Sequence, residues 1–196
     1  MAFNRYSLSF ILITLLLIAS PATGAQHKWG FEIRPGINVA TSKLGNADLK
    51  TDYGIEGTFS YRIMPHLGAY AGWSWNRFSA DKSFVGNNMD FEETGYIAGL
   101  EFIHPIQSSD ISYMIRCGGT YNHIETENSD GNIINDTGHG LGWQIGGGIA
   151  IPIATRWRLV PEVRYRSLSR TIKLQETSTP ADLNYISGGI GLSYSF

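Results

Sequence analysis

The 196-residue sequence predicts an all-β fold: an eight-stranded antiparallel up-and-down transmembrane β-barrel, preceded by a cleaved signal peptide. Three observations carry that expectation. Eight segments alternate apolar with small or polar residues at a period of two, the period of a strand. The connectors between them alternate between short and long. The apolar face carries no Asp, Glu, Lys or Arg on any strand, and its aromatic residues gather toward the strand ends.

Residues 1–25 read as the signal peptide. One positive charge, Arg5, precedes an apolar run over residues 8–19, too short for a membrane-spanning helix, and Thr23-Gly24-Ala25 supplies small residues for cleavage after Ala25, or alternatively after Gly24. The remainder, residues 26–196, is long enough for one domain. Its single cysteine, Cys117, permits no intramolecular disulfide, so something other than a covalent staple must hold the fold. A net charge of -2 gives no reason to expect nucleic-acid binding.

The first strand, residues 28–39, sets Trp29, Phe31, Ile33, Pro35, Ile37 and Val39 against Gly30, Glu32, Arg34, Gly36 and Asn38. The same grammar repeats over residues 53–63, 67–76, 94–103, 111–122, 141–151 and 157–168. It ends in the C-terminal segment, where Ile186, Ile190, Leu192, Tyr194 and Phe196 oppose Ser187, Gly189, Gly191, Ser193 and Ser195. Three short connectors, 64–66, 104–110 and 152–156, each hold a proline as a turn marker. The others, 40–52, 78–93, 123–140 and 169–183, read as longer loops.

A water-soluble barrel would face lysine and glutamate outward. Here the face opposite the apolar one is mostly Gly, Ser, Thr and Ala with a few charges, which suits a narrow bore in which inward side chains compete for space. The apolar face therefore points to lipid, with aromatic girdles at both rims. On this pattern, and on the terminal segment Gly188–Phe196, the chain resembles the small outer-membrane β-barrel family typified by the OmpA transmembrane domain, OmpX/Ail and the opacity proteins. The resemblance implies a bacterial outer-membrane location, both termini in the periplasm, and a C-terminal insertion signal, Tyr194 and Phe196, read by the barrel-assembly machinery. It further implies outer-membrane lipid and lipopolysaccharide as surroundings, and a monomer. The chain stops at Phe196, so the peptidoglycan-binding activity of longer family members is not expected of it.

The inward charges are the best-defined constellation: Glu32, Arg34, Glu56, Arg62, Glu101, Arg116, Arg158, Glu162, Arg164 and Arg166. A buried charge needs a partner, and mixed signs in a narrow lumen point to one ion-pair network filling the bore. Cys117 falls on the lipid face as a small hydrophobe. Residues 128–132 with Asp136 loosely resemble a calcium loop but lack its spaced carboxylates and closing Glu. The acidic residues Asp81, Asp90, Glu92, Glu93, Glu125, Glu127, Asp130 and Asp136 read as solvated loops, compatible with cation bridging to lipopolysaccharide. No histidine spacing suggests zinc, and residues 163–169 lack a His-x-Ser arrangement. The expectation is a protein without catalytic, cofactor or metal residues, serving membrane integrity or surface interaction through four loops. The alternatives are a small-solute pore and, behind it, a lipid A-modifying enzyme.

Overall fold

The computed structural model describes residues 27–174 and 177–196; the expected signal peptide and its cleavage site lie outside the described residues. The strands in chain order are β1 (Trp29–Ala40), β2 (Asp52–Arg62), β3 (Leu67–Ser83), β4 (Gly86–Pro105), β5 (Ser112–Glu127), β6 (Ile133–Asp136), β7 (Gly140–Pro152), β8 (Trp157–Leu174) and β9 (Thr177–Ser195). All but β6 join one antiparallel ring, which runs from β5 through β4, β3, β2 and β1 to β9, β8 and β7 and back to β5. The short β6 pairs with β5 where β7 has already ended. The ring has no free edge through the zone facing lipid, as a bilayer demands of any strand that crosses it.

The outward face follows the expected pattern. Ile37, Leu100, Cys117, Ile145, Val163 and Ile190 all point outward and are exposed, Ile190 at 58%. Aromatic rings pair at both rims. Trp29 packs on Tyr61 (4.7 Å between centroids) and Trp157 on Tyr194 (4.8 Å) at the short-turn end. Tyr53 meets Trp75 (5.5 Å) and Trp143 meets Tyr165 (5.4 Å) at the other. Phe196 is locked into the seam by reciprocal backbone hydrogen bonds with Trp29 and stacks on Tyr194 at 6.2 Å.

The structure corrects three of the four long loops. Residues 78–93 are not a loop: β3 and β4 continue through them as a hairpin that turns at Phe84-Val85. Residues 169–174 and 177–183 likewise extend β8 and β9, and much of 123–140 is β-structure in β5 and β6. The reason lies in polarity. The strands keep their inward parity through these stretches, but the side chains on it change from polar to apolar. On β3 the inward run Tyr70, Ser74, Asn76 becomes Phe78 and Ala80. On β5 Thr120 and Asn122 give way to Ile124, and on β9 Ser187 gives way to Tyr185, Leu183 and Ala181. The outward residues change the opposite way, to Arg77, Ser79, Asp90, Glu92, Glu125 and Asp182. Below this level the barrel is oily outside; above it the same sheet is oily inside, like a soluble protein.

That upper interior is a hydrophobic core of Phe78, Met89, Phe91, Ile124, Leu168, Ile172, Leu183 and Tyr185, roofed by the β1–β2 connection. Leu44 and Ala47 of the connection bridge to each other through two backbone hydrogen bonds and drop into the core fully buried. The roof is tied down by Lys50 N–H to Ser79 O and Thr41 N–H to Asn184 O, each 2.8 Å.

Two prolines interrupt the ladders in the lipid-facing zone. The β1–β9 pairing skips from Ile33↔Leu192 to Gly36↔Gly189, passing over Pro35, and the β7–β8 pairing skips from Gly148↔Glu162 to Ile151↔Leu159, passing over Pro161. Proline has no N–H to give to a ladder.

The change of polarity makes a two-sided prediction. Ile190→Arg, outward in the lipid zone, costs about 2–4 kcal/mol in refolding titrations with lipid vesicles. Ser79→Arg, outward above it, costs about 0.5 kcal/mol or less. Phe91→Ala, inward above it, costs about 3–5 kcal/mol. Equal costs for the two arginine variants would show that residue 79 also faces lipid.

Candidate functional site

The bore is filled by charge. Starting at the short-turn end, Arg116 on β5 donates from Nε to Glu101 Oε2 (3.1 Å) on its paired strand β4, and from Nη2 to Glu32 Oε2 (3.0 Å) on the far wall. Arg34 pairs with Glu32, with Glu162 (2.7 Å) and with Glu56 (3.1 Å). Arg164 joins Glu162 (2.6 Å) to Glu56, and Arg166 joins Glu56 (3.1 Å) to Glu93 (3.1 Å). The result is one connected network of Glu32, Arg34, Glu56, Glu93, Glu101, Arg116, Glu162, Arg164 and Arg166, each at most 8% exposed.

Neutral groups complete it. Gln144 on β7 accepts from Arg166 Nη2 (2.7 Å) and donates to the Tyr70 hydroxyl (2.9 Å). Arg116 lies 5.4 Å from the centre of the Tyr70 ring and Arg166 5.7 Å from that of Tyr185, both within cation–π range. Tyr70 lies across the two strands beside it because they are bare there: a Cβ at either Gly99, its partner on β4, or Gly118 on β5 would stand 2.8 Å from its hydroxyl. The carboxylates outnumber the guanidiniums by one, and the upper carboxylate, Glu93, gathers extra donors: the Tyr185 hydroxyl (2.9 Å), Asn76 Nδ2 (2.5 Å) and Asn122 Nδ2. Such sharing is what lets charges leave water, since an unpaired buried carboxylate is expensive.

The structure does not bring together all ten inward charges read from the sequence. Arg62 and Arg158 make no ion pair among the described residues; they line the bore's short-turn mouth beside His27 and Ser195. Glu93, read as part of a solvated loop, is fully buried at the top of the network. Its signal was present in the sequence: it shares the parity of Gly95, Ile97, Gly99 and Glu101, and only the assumption that strand four begins at Thr94 hid it.

A second cluster lies outside the barrel at the hairpin end. His123 and Glu125 are neighbours on the outward face of β5, and Asp136 ends β6 directly across from Glu125. The His123 Nδ1 is 3.0 Å from Asp136 Oδ1 and 3.7 Å from Glu125 Oε1. The His139 ring stacks on His123 at 4.4 Å and reaches Tyr121 at 5.2 Å. Partial burial would raise the pKa of Asp136, but the Gly138 N–H and the His123 ring outweigh it and hold the carboxyl below its usual value. The sequence spread these four side chains over 17 positions of a supposed loop. Only the β5–β6 pairing gathers them.

Residues 10–196 match the family model described as the outer membrane protein beta-barrel domain. Solved structures with the same fold include Neisserial surface protein A, with 13% sequence identity over 88% of this chain and 99% of that one and a TM-score of 0.63. Outer Membrane Protein W of E. coli has 15% identity over 88% and 100%, with a TM-score of 0.57. OprG from Pseudomonas aeruginosa has 16% identity over 86% and 97%, with a TM-score of 0.54. At such identities the likeness is one of fold. No curated protein matches the chain.

The network predicts strong coupling. Arg116→Met alone leaves the buried Glu101 carboxylate without its partner and costs about 3–5 kcal/mol, whereas Glu101→Met alone costs less because Arg116 keeps Glu32 and Glu162. The double variant costs less than the two singles added, by about 0.5–3 kcal/mol, in a cycle of urea unfolding measurements. Additive costs would mean that the two charges are separately hydrated.

Proposed function

The chain belongs to the outer membrane protein beta-barrel domain family, and from that premise we propose that it is a closed, non-enzymatic barrel that acts through its surface. The observation that supports this reading is the double closure of the bore. Ion pairs cross it from wall to wall at mid-height, and the apolar core under Leu44 and Ala47 caps it at the hairpin end. Two spaces inside the network, about 30 Å³ beside Arg34 and Glu56 and about 40 Å³ beside Glu32 and Arg116, suit a few waters rather than a solute, and the wider space of about 250 Å³ lies at the short-turn mouth beside Arg62 and Arg158.

The enzyme alternative finds no support in the histidines. Among the described residues the histidine side chains hydrogen-bond to Ile103 O, Pro105 O and Asp136, and none to a serine hydroxyl that it could activate. The hairpin end is the extracellular one on this reading, and the roof, hairpins and outward acidic residues form the surface offered to the surroundings. The terminal Tyr194 and Phe196, on the lipid side of the closing seam, serve as the insertion signal for the barrel-assembly machinery.

Planar-bilayer recordings of refolded protein test the closure. At most small, infrequent steps are expected; large steady currents would make the protein a channel and overturn the proposal. Orientation is tested separately, in a Cys117→Ala background on intact cells. Ser129→Cys, in the exposed turn before β6, labels with an impermeant maleimide, and Thr155→Cys, in a short turn, does not. The reverse result would invert the barrel.

A further inference from the structure

We propose that His123, Glu125 and Asp136 form a binding site for a first-row divalent transition-metal ion, with zinc as the reference ion, on the outer wall of the hairpin end. The inference stands apart from the closed-bore reading, because none of the three side chains faces the bore.

The geometry carries it. Zinc holds nitrogen and carboxylate oxygen ligands at about 2.0–2.2 Å, so ligand atoms around a tetrahedral ion stand about 3.3–3.5 Å apart. The His123 Nδ1 lies 3.0 Å from the Asp136 oxygen and 3.7 Å from the Glu125 oxygen, on either side of that spacing, and all three ligand atoms fall within 4.8 Å of one another. Binding needs only small side-chain rotations. Ligation through Nδ1, the nitrogen that faces Asp136, requires the ring proton to sit on Nε2. Three protein ligands leave one position for water or an external donor, as in open zinc sites.

The charge pattern points the same way independently. Across the paired strands, Glu125 stands directly opposite both Asp136 on β6 and Glu92 on β4, and Asp90 stands opposite Glu127. Like charges directly opposite each other destabilise a sheet. Arg77 answers Asp90 (2.5 Å) and the Trp75 indole N–H donates to Glu92 (2.7 Å), but among the described residues Glu125 pairs with no basic group other than the His123 ring. A divalent cation at this point removes the repulsion between Glu125 and Asp136 and fastens β6, which is only 4 residues long, to the wall of the barrel. The donor set favours a transition metal over calcium, which asks for six to eight oxygens. His139 is placed to hold the His123 ring in position by stacking on its face.

The test is isothermal titration of ZnCl2 into the refolded full barrel in detergent, with heat-modifiable gel migration confirming the fold of each variant. One equivalent binds the wild type. His123→Ala and Asp136→Asn each weaken binding at least tenfold. Two other histidines, His66 and His104, have their rings 4.7 Å apart and tilted by 32° at the short-turn end, so a His66→Ala/His104→Ala variant serves as the control and keeps its binding. Unchanged affinity in His123→Ala, loss of binding in the control, or equal binding of CaCl2 and ZnCl2 by the wild type would each overturn the assignment. Because Asp136→Asn keeps the shape and hydrogen-bonding reach of the side chain, its loss of binding separates ligation from a folding defect.

Discussion

A strand has two faces and keeps them for its whole length. Every other feature of this barrel follows from that fixed alternation meeting two solvents in succession. In the lipid zone the outward side must be apolar, and the inward side takes whatever fits a bore one or two side chains wide. Above that zone water surrounds the sheet, and the same inward side must become the hydrophobic core. Residues such as Asn76 and Phe78, two apart on one face of β3, lie on either side of the change. The barrel is thus two half-structures of opposite design sharing one set of strands.

The charge network belongs to the lower half and explains how a polar interior can be stable there. Buried ion pairs are weak evidence for stability as such, because desolvation offsets much of their attraction. Their effect here is selective. A slip of one residue in β1, β2, β4, β5 or β8 would turn its carboxylates and guanidiniums toward lipid and its apolar side chains inward. All the strands of the ring supply a member or a neutral partner, from Glu32 and Arg34 on β1 to Tyr185 on β9, so the network penalises a wrong register at any seam. This matters most on either side of the β8–β9 seam, where Pro35 and Pro161 leave the β1–β9 and β7–β8 ladders incomplete.

The lower half was legible in the sequence because its signal is local: period two, a charge-free face, aromatic ends and short turns marked by proline. The ten inward charges could be read off by parity, though not who pairs with whom, and not that Arg62 and Arg158 stand apart at the mouth. The upper half was missed because the same search looks for apolar residues on one particular face. Where Phe78, Met89 and Phe91 moved the apolar signal to the other face, the pattern looked like its own end, and Glu93 was counted with a loop. The His123–Asp136 cluster was hidden for a different reason. Its members meet only through a four-residue strand that pairs with β5 across a bulge at Thr126/Glu127, and nothing in the sequence specifies that pairing.

The hydrophobic core above the lipid zone also decides what a visitor to that end of the protein would encounter. Long flexible loops would offer continuous stretches of chain that can be gripped, cut or copied as peptides. Here Phe78, Ala80, Met89 and Phe91 of the β3–β4 extension and Ile172, Ala181 and Leu183 of the β8–β9 extension are turned away into the core. The visible surface is instead a mosaic in which Arg77, Glu92 and Glu125, from three different strands, are immediate neighbours while Phe91 and Ile124 between them are out of sight. An antibody or phage tail that recognises this end reads a discontinuous epitope, one that exists only while the sheet is folded and that no linear fragment of the chain reproduces.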